Sequence, residues 1–170
     1  MKWMTILLLV WFLQGCTTLE GKSVALNQAL VIPAQWQAQG RASVSMEDYN
    51  QTTGFEIDFK NQHYVLILSA PLGLGQIVVK SNTQGLRVND KQINLSLKQW
   101  MIGEFGWHFP IQKLALILFK QQKNIDHEWR INIISYQQID GIGYPKIVRL
   151  NHLTKAIKIK LLIGKVNELK

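Results

Sequence analysis

The feature that most constrains the fold is a succession of short strand-like segments separated by clusters of turn residues. In residues 55–59 aromatic and aliphatic side chains alternate strictly with acids, which predicts a strand with one buried face. Residues 64–68 form a continuous apolar run, which predicts a strand buried on both faces. The same reasoning predicts strands at 41–46, 76–80, 86–88, 93–95, 129–136, 146–150 and 156–163, with turns at 61–62, 81–83 and 89–91.

Helical signals are few and lie near the start and the middle of the chain. Residues 24–30 predict a short helix. Ser96 predicts the N-cap of a helix through residue 101 that Gly103 stops, and Pro110 predicts the first turn of a helix over 110–120. A mostly antiparallel sheet with a few helices must bury its apolar face, either by closing on itself or under those helices.

The first 15 residues predict a secretory signal peptide, with one positive charge, a short apolar run and a glycine before Cys16. The apolar run is about half of what a membrane-spanning helix needs. Cys16 is the only cysteine, so it forms no internal disulfide. In this position it resembles the lipidated cysteine of bacterial lipoproteins, which typically carries three acyl chains such as palmitate; a secreted protein with a free thiol is the alternative.

The predicted domains follow from that cysteine. Residues 1–15 are the signal peptide, residues 16–23 are the lipidated N-terminus and a tether, and residues 24–170 are one domain. By resemblance to enterobacterial lipoproteins, Thr17 in place of an aspartate directs the protein to the outer membrane, facing the periplasm.

The net charge of +8 indicates an anionic partner, either lipid head groups or nucleic acid. No nucleic-acid-binding motif is present, so we expect no nucleic acid partner. The densest group of cations alternates with apolar residues near the C-terminus, which favours the solvated face of an ordinary strand over a dedicated site. Its members are Lys155, Lys158, Lys160 and Lys165.

Residues of the types that bind metals or catalyse reactions do not have the spacing that is typical of a metal site or an active site. The four histidines, His63, His108, His127 and His152, are scattered, and a second cysteine is lacking, so we expect no metal and no cofactor. There is no P-loop, dinucleotide fingerprint or nucleophile elbow. Asp126, His127 and Glu128 are adjacent, which favours a polar loop, and we therefore expect no enzyme.

The connection at 69–75 is apolar where turns are usually polar. It contains Pro71, Leu72, Gly73 and Leu74 and no charge. One interpretation is a hairpin whose leucines fold back onto the sheet. The other is an exposed leucine that enters a membrane or a hydrophobic cavity, where its burial supplies about 1.5 to 3 kcal/mol.

Behind the lipidation signal, segments in this order resemble the LolB family of outer-membrane lipoprotein receptors. The most specific is Pro71-Leu72-Gly73 after an apolar strand. The others are residues 36–41, 55–59, 64–68, 106–111 with Leu114, and 144–160. The chain departs from the family at 116–120, where a Trp-x-x-Gly stretch is usual, and this puts one edge of the fold in question.

The resemblance implies an incomplete, strongly curved antiparallel β-barrel with helices over its open side and an apolar cavity, as in LolA-like and LolB-like proteins. It implies a monomer that takes lipoproteins from a periplasmic LolA-like carrier by binding their acyl chains and inserts them into the outer membrane, with Leu72 as the inserting residue. The candidate cavity residues are Phe55, Ile57 and Phe59, with Tyr64, Leu66 and Leu68 opposite.

Two other interpretations stay open. The six candidate cavity residues can instead be plain core packing. The chain can also be a structural or assembly lipoprotein that binds protein partners, or a carrier of another lipid.

Overall fold

The computed structural model describes residues 31–124 and 127–169, and within them the chain forms one antiparallel sheet. Its strands follow in the spatial order β6-β5-β4-β3-β2-β1-β9-β8-β7. The predicted signal peptide, Cys16, the tether and the predicted helix at 24–30 lie outside the described residues. The strands are β1 (Gln35–Met46), β2 (Tyr49–Lys60), β3 (His63–Ser69), β4 (Gln76–Asn82), β5 (Gly85–Val88), β6 (Lys91–Ile93), β7 (Trp129–Ile139), β8 (Ile142–His152) and β9 (Lys158–Glu168).

The sheet is strongly curved. It is also open, because its two edge strands, β6 and β7, do not pair with each other. Curvature is introduced by irregularities in register, one between Gln39 and Gly40 where β1 meets β9, and others at Ser135 where β7 meets β8. Such bulges bend a strand and increase its twist. Alternation along the strands places one set of apolar residues on the inner face. This set includes Trp36, Ala38, Val44, Ile57, Val148, Leu150, Ile159 and Ile163.

Two helices, α1 (Leu97–Phe105) and α2 (Leu114–Lys120), turn apolar residues into the same core. Ser96 begins α1 with a capping box, in which its hydroxyl accepts from the Gln99 backbone N–H at 3.2 Å. The predicted stop at Gly103 is wrong, since α1 continues to Gly106, which ends it in the left-handed conformation (φ 74°). Glycine inside a helix is tolerated at a cost of about 1 kcal/mol, whereas the left-handed position at a helix end favours it.

The predicted helix over 110–120 is divided in two. A 3₁₀ turn at Ile111–Lys113 precedes α2, and Pro110 lies just before that turn with a non-helical ψ of 76°. Among the described residues, no helix is long and apolar enough to cross a membrane.

Two strand predictions need correction. In β3 only Tyr64 and Leu66 are buried, while Val65 and Ile67 are half-buried on the outer face, because a sheet of this kind needs to bury only one face. The strand predicted at 93–95 ends instead at Ile93, and Leu95 is half exposed.

Aromatic packing holds α2 against the sheet. The Trp36 ring stacks on Phe59 at 5.3 Å between centroids and meets the Phe119 ring edge-on at 5.7 Å. Phe119 in turn meets Tyr144 edge-on at 5.9 Å. The cluster therefore joins β1, β2, α2 and β8, and such pairs contribute about 0.5 to 1.5 kcal/mol beyond the burial of their area.

Candidate functional site

An apolar cavity lies between the inner face of the sheet and the helical side of the molecule. Its volume is about 40 Å³, which is room for about three water molecules. The sheet wall comes from β1, β2, β3 and β9, and the helical wall from α1 and residues 107–114. The lining residues are Ala42, Thr53, Phe55, Ile57, Leu66, Leu68, Met101, Trp107, Phe109, Ile111, Leu114, Ile159 and Leu161.

The cavity has no charged side chain in its wall and one hydroxyl, that of Thr53. This hydroxyl donates to the Ser69 carbonyl oxygen at 3.0 Å, so it is satisfied within the protein. A cavity lined in this way stays dry and takes apolar ligands. The arrangement is suited to hydrocarbon and offers no group for acid, base or nucleophilic chemistry.

Of the six candidate cavity residues, the structure brings together four, Phe55, Ile57, Leu66 and Leu68. The two sets do not face each other across the cavity as expected. They lie side by side, because β2 and β3 are neighbours in which Ile57 pairs with Leu66 and Phe55 with Leu68.

Phe59 and Tyr64 form the next pair on the same face of the sheet, and they lie outside the cavity wall. The Phe59 ring is engaged by Trp36, as described above. Tyr64 is buried, which raises the pKa of its hydroxyl, although a hydrogen bond with Ser81 opposes this in part.

The helical wall was not among the candidate cavity residues. It consists of Met101, Trp107, Phe109, Ile111 and Leu114. The shared side of Ile111 and Leu114 in the predicted helix was a usable signal, but nothing in the local sequence shows which sheet face a helix will cover.

The apolar loop between β3 and β4 projects both of its leucines into solvent. The Leu72 side chain is 95% exposed and that of Leu74 is 83% exposed, so neither folds back onto the sheet. The loop is closed by hydrogen bonds from Ala70 N–H to the Gly75 carbonyl (2.9 Å) and from Gly73 N–H to the Ala70 carbonyl (3.2 Å).

Leu72 also has a left-handed backbone, with φ 60° and ψ 15°. This conformation costs a non-glycine residue about 1 to 3 kcal/mol. An exposed apolar side chain and a strained backbone are both unfavourable for folding, and together they motivate a functional explanation for this residue.

A groove of about 270 Å³ lies beside the cavity and reaches the base of this loop. Thr53, Leu68 and Trp107 line both the cavity and the groove. At its other end the groove reaches Ala70 and Gly75, which flank the exposed leucines. The groove therefore adjoins the cavity on one side and the loop on the other.

In the polar cluster Asp126-His127-Glu128 that precedes β7, Glu128 contacts residues of the fold. Glu128 lies 3.3 Å from His108 Nε2 and 2.8 Å from Lys98 Nζ, and so ties α1 to the start of β7. Asp126 lies outside the described residues. No group of three or more potential metal ligands occurs within 31–124 and 127–169.

A curved sheet closed by helices over a dry cavity defines a class of binding protein for apolar ligands. Within that class, a family model described as "Outer membrane lipoprotein LolB" matches residues 34–118, which is half of the chain. The chain belongs to the LolB family. Membership agrees with the resemblance found in the sequence, and the family is one of outer-membrane lipoproteins.

Two solved structures match this chain over most of its length and share little sequence with it. A LolA superfamily protein from Nitrosomonas europaea is 11% identical with a TM-score of 0.49, over 81% of this chain and 87% of that chain. A DUF1329 family protein from Desulfovibrio piger ATCC 29098 is 10% identical with a TM-score of 0.46, over 80% of this chain and 86% of that chain. Comparison with curated proteins gave no match.

Proposed function

We propose that this protein is a receptor of the outer membrane that accepts lipoproteins from a periplasmic carrier and passes them into the membrane. The observation that carries the proposal is the apolar cavity, with an adjoining groove that reaches the base of the loop that carries the exposed Leu72. Membership of the LolB family supports the same function.

Acyl chains need such a shelter because each buried CH₂ group is worth about 0.8 kcal/mol relative to water. The cavity of about 40 Å³ is far smaller than one chain, so acceptance requires the wall to move. The sheet wall is held by continuous ladders of backbone hydrogen bonds, whereas the helical wall is held by side-chain packing. The helical wall, with Met101, Ile111 and Leu114, is therefore the part that moves when an acyl chain enters.

Transfer proceeds by differences in affinity. The sequence lacks a nucleotide-binding motif, and a ligand moves only toward the state that binds it better. The order of increasing affinity for acyl chains is therefore carrier, this protein, membrane.

Leu72 performs the last step by entering the bilayer and aligning the groove with it. Full burial of one leucine supplies about 1.5 to 3 kcal/mol, which orients a protein but does not anchor it. Permanent attachment is assigned to acylated Cys16, behind a cleaved signal peptide (1–15) and a tether (16–23), with one domain over 24–170. Mass spectrometry of the mature N-terminal peptide tests this assignment.

The test of the receptor function is direct transfer in the absence of membranes. A soluble form beginning at Thr17, which keeps every described residue, is mixed with a LolA-like carrier loaded with labelled lipoprotein. We expect the label to move to this protein, and to stay on the carrier when Thr53→Phe blocks the junction of cavity and groove. Thr52→Phe is the matched control, because this neighbouring side chain is exposed on the outer face.

The proposal fails if the folded wild-type protein takes no label. It also fails if Thr53→Phe, shown to be folded by circular dichroism, accepts cargo as well as Thr52→Phe does. In the first case a scaffold that binds protein partners becomes the function to test.

A further inference from the structure

Two polar rows cross the outer face of the sheet near one end. Their residues are outward-facing, since the intervening Val44, Ile131, Leu150 and Ile159 are buried. In the register of the strands, the first row is Thr52, Ser43, Lys160, Arg149 and Asn132. The second row is Asn50, Ser45, Lys158, Asn151 and Arg130. We call these ten residues the basic band.

The basic band contains four cations and no acid. Arg130, Arg149, Lys158 and Lys160 are all exposed, and none forms an ion pair with another described residue. Lys160 and Arg149 are direct cross-strand partners. Like charges in that position destabilise a sheet, so folding by itself does not favour this arrangement.

The band forms a groove with the chemistry of an anion site. Its volume is about 480 Å³, and nine of the ten band residues, all except Arg130, line it with hydroxyl, amide, ammonium and guanidinium groups. These are hydrogen-bond donors of the kind that bind phosphate oxygens, with Arg149 able to donate two parallel hydrogen bonds.

The band also lies at the same end of the sheet as the exposed leucines. Strand β3 ends at Ser69, opposite Gly54, and the loop that carries Leu72 follows directly. Strand β2 continues past this point to Tyr49, so Thr52 and Asn50 lie about 7 and 13 Å further along it at the usual rise per residue. If Leu72 is at a membrane, the cations are at or near the depth of the head groups.

We propose that the basic band docks onto the phosphate groups of anionic phospholipids and holds this end of the barrel against the membrane. At the same end of the sheet, the basic band supplies charge for the head groups, and Leu72 and Leu74 supply apolar contact with the bilayer. This inference does not depend on lipoprotein transfer, because docking requires neither cargo nor carrier.

The test is sedimentation of the chain from Thr17 onward with vesicles of phosphatidylcholine, alone or mixed with phosphatidylglycerol. We expect tighter binding to the anionic vesicles, weakened by salt because the charges are exposed. Removing one cation near an anionic surface weakens binding about fivefold, so Lys158→Gln with Lys160→Gln should weaken it about 25-fold. Arg130→Gln with Arg149→Gln should have a similar effect and replaces the first pair if that variant does not fold.

The matched control is Lys91→Gln with Lys165→Gln, which removes the same charge from exposed residues outside the band. We expect it to bind almost as tightly as the wild type. The proposal is overturned if phosphatidylglycerol brings no gain in binding, or if the control loses as much as the band variants. Binding to soluble polyaspartate without a gain on anionic vesicles would indicate an acidic protein partner and would also refute lipid docking.

Discussion

Replacing Leu72 by glutamate separates a role in membranes from a role in folding. The side chain is 95% exposed, so the folded state loses almost no contact when it is changed. Leucine and glutamate at position 72 experience the same left-handed backbone strain at φ 60°, so the strain does not contribute to the difference in stability. The free energy of unfolding should therefore change by no more than about 0.5 kcal/mol, as for other surface substitutions.

Membrane binding should respond quite differently. If Leu72 is fully buried in the bilayer, its loss removes about 1.5 to 3 kcal/mol, which is about a tenfold to 150-fold weaker partition into vesicles. Leu74, which is 83% exposed on the same loop, should show a smaller effect of the same sign when replaced by glutamate.

The assay is sedimentation of the chain from Thr17 onward with neutral phosphatidylcholine vesicles, which leave out the contribution of the basic band. Urea unfolding of the same samples gives the stability. Leu95→Glu is the matched control, since Leu95 is 49% exposed and follows β6 at the opposite end of the sheet. Equal partition of Leu72→Glu and Leu95→Glu would refute insertion of Leu72, and a large loss of stability in Leu72→Glu would refute the structural argument.

Two further predictions concern the fold. Gly40→Ala should lower the free energy of unfolding by about 1 to 3 kcal/mol, because the new Cβ would lie 2.1 Å from the Leu162 carbonyl oxygen and 3.0 Å from the Phe55 ring. Urea unfolding measures this against Gly164→Ala, whose Cβ meets nothing closer than 3.5 Å; equal midpoints would contradict it. Burial and the hydrogen bond to Glu168 raise the pKa of Tyr144 above its usual value, so the folded state holds the hydroxyl proton more tightly than the unfolded state does. Above about pH 10 the unfolded state loses this proton first, and the free energy of unfolding should therefore fall as the pH rises. In unfolding experiments at alkaline pH, Tyr144→Phe should make the free energy of unfolding fall less steeply with pH, and the remaining fall would be due to Tyr64. If the free energy of unfolding of Tyr144→Phe falls as steeply as that of the wild type, the argument is contradicted.

Features of the fold that depend on neighbours in the chain were predictable. The alternation in residues 55–59 places Ile57 inward, with Phe55 on the same face, wherever β2 lies, because successive side chains of a strand point to opposite faces. Ser96 caps a helix because its hydroxyl reaches a backbone N–H three residues away. The Pro-Leu-Gly loop was identified because its composition is unusual for a turn.

Features that depend on distant partners were not predictable. Phe59 belongs to the same alternating face as Phe55, yet it lies outside the cavity because Trp36 stacks on it. The lysines of β9 look like an ordinary solvated face, and they become part of a basic band only when Arg149 of β8 and Arg130 of β7 are aligned beside them.

The sequence by itself determined most of the strand pattern, the apolar character of the loop around Leu72 and, through a chain of weak motifs, the family. Only the tertiary structure decided that Leu72 and Leu74 are exposed, which strands are neighbours, which helical residues form the second cavity wall, and how small that cavity is at rest. The physical reason is range. Side-chain alternation, caps and turns are set within a few residues, whereas the pairing of β1 with β9 and the closure of the cavity depend on packing between segments far apart in the chain.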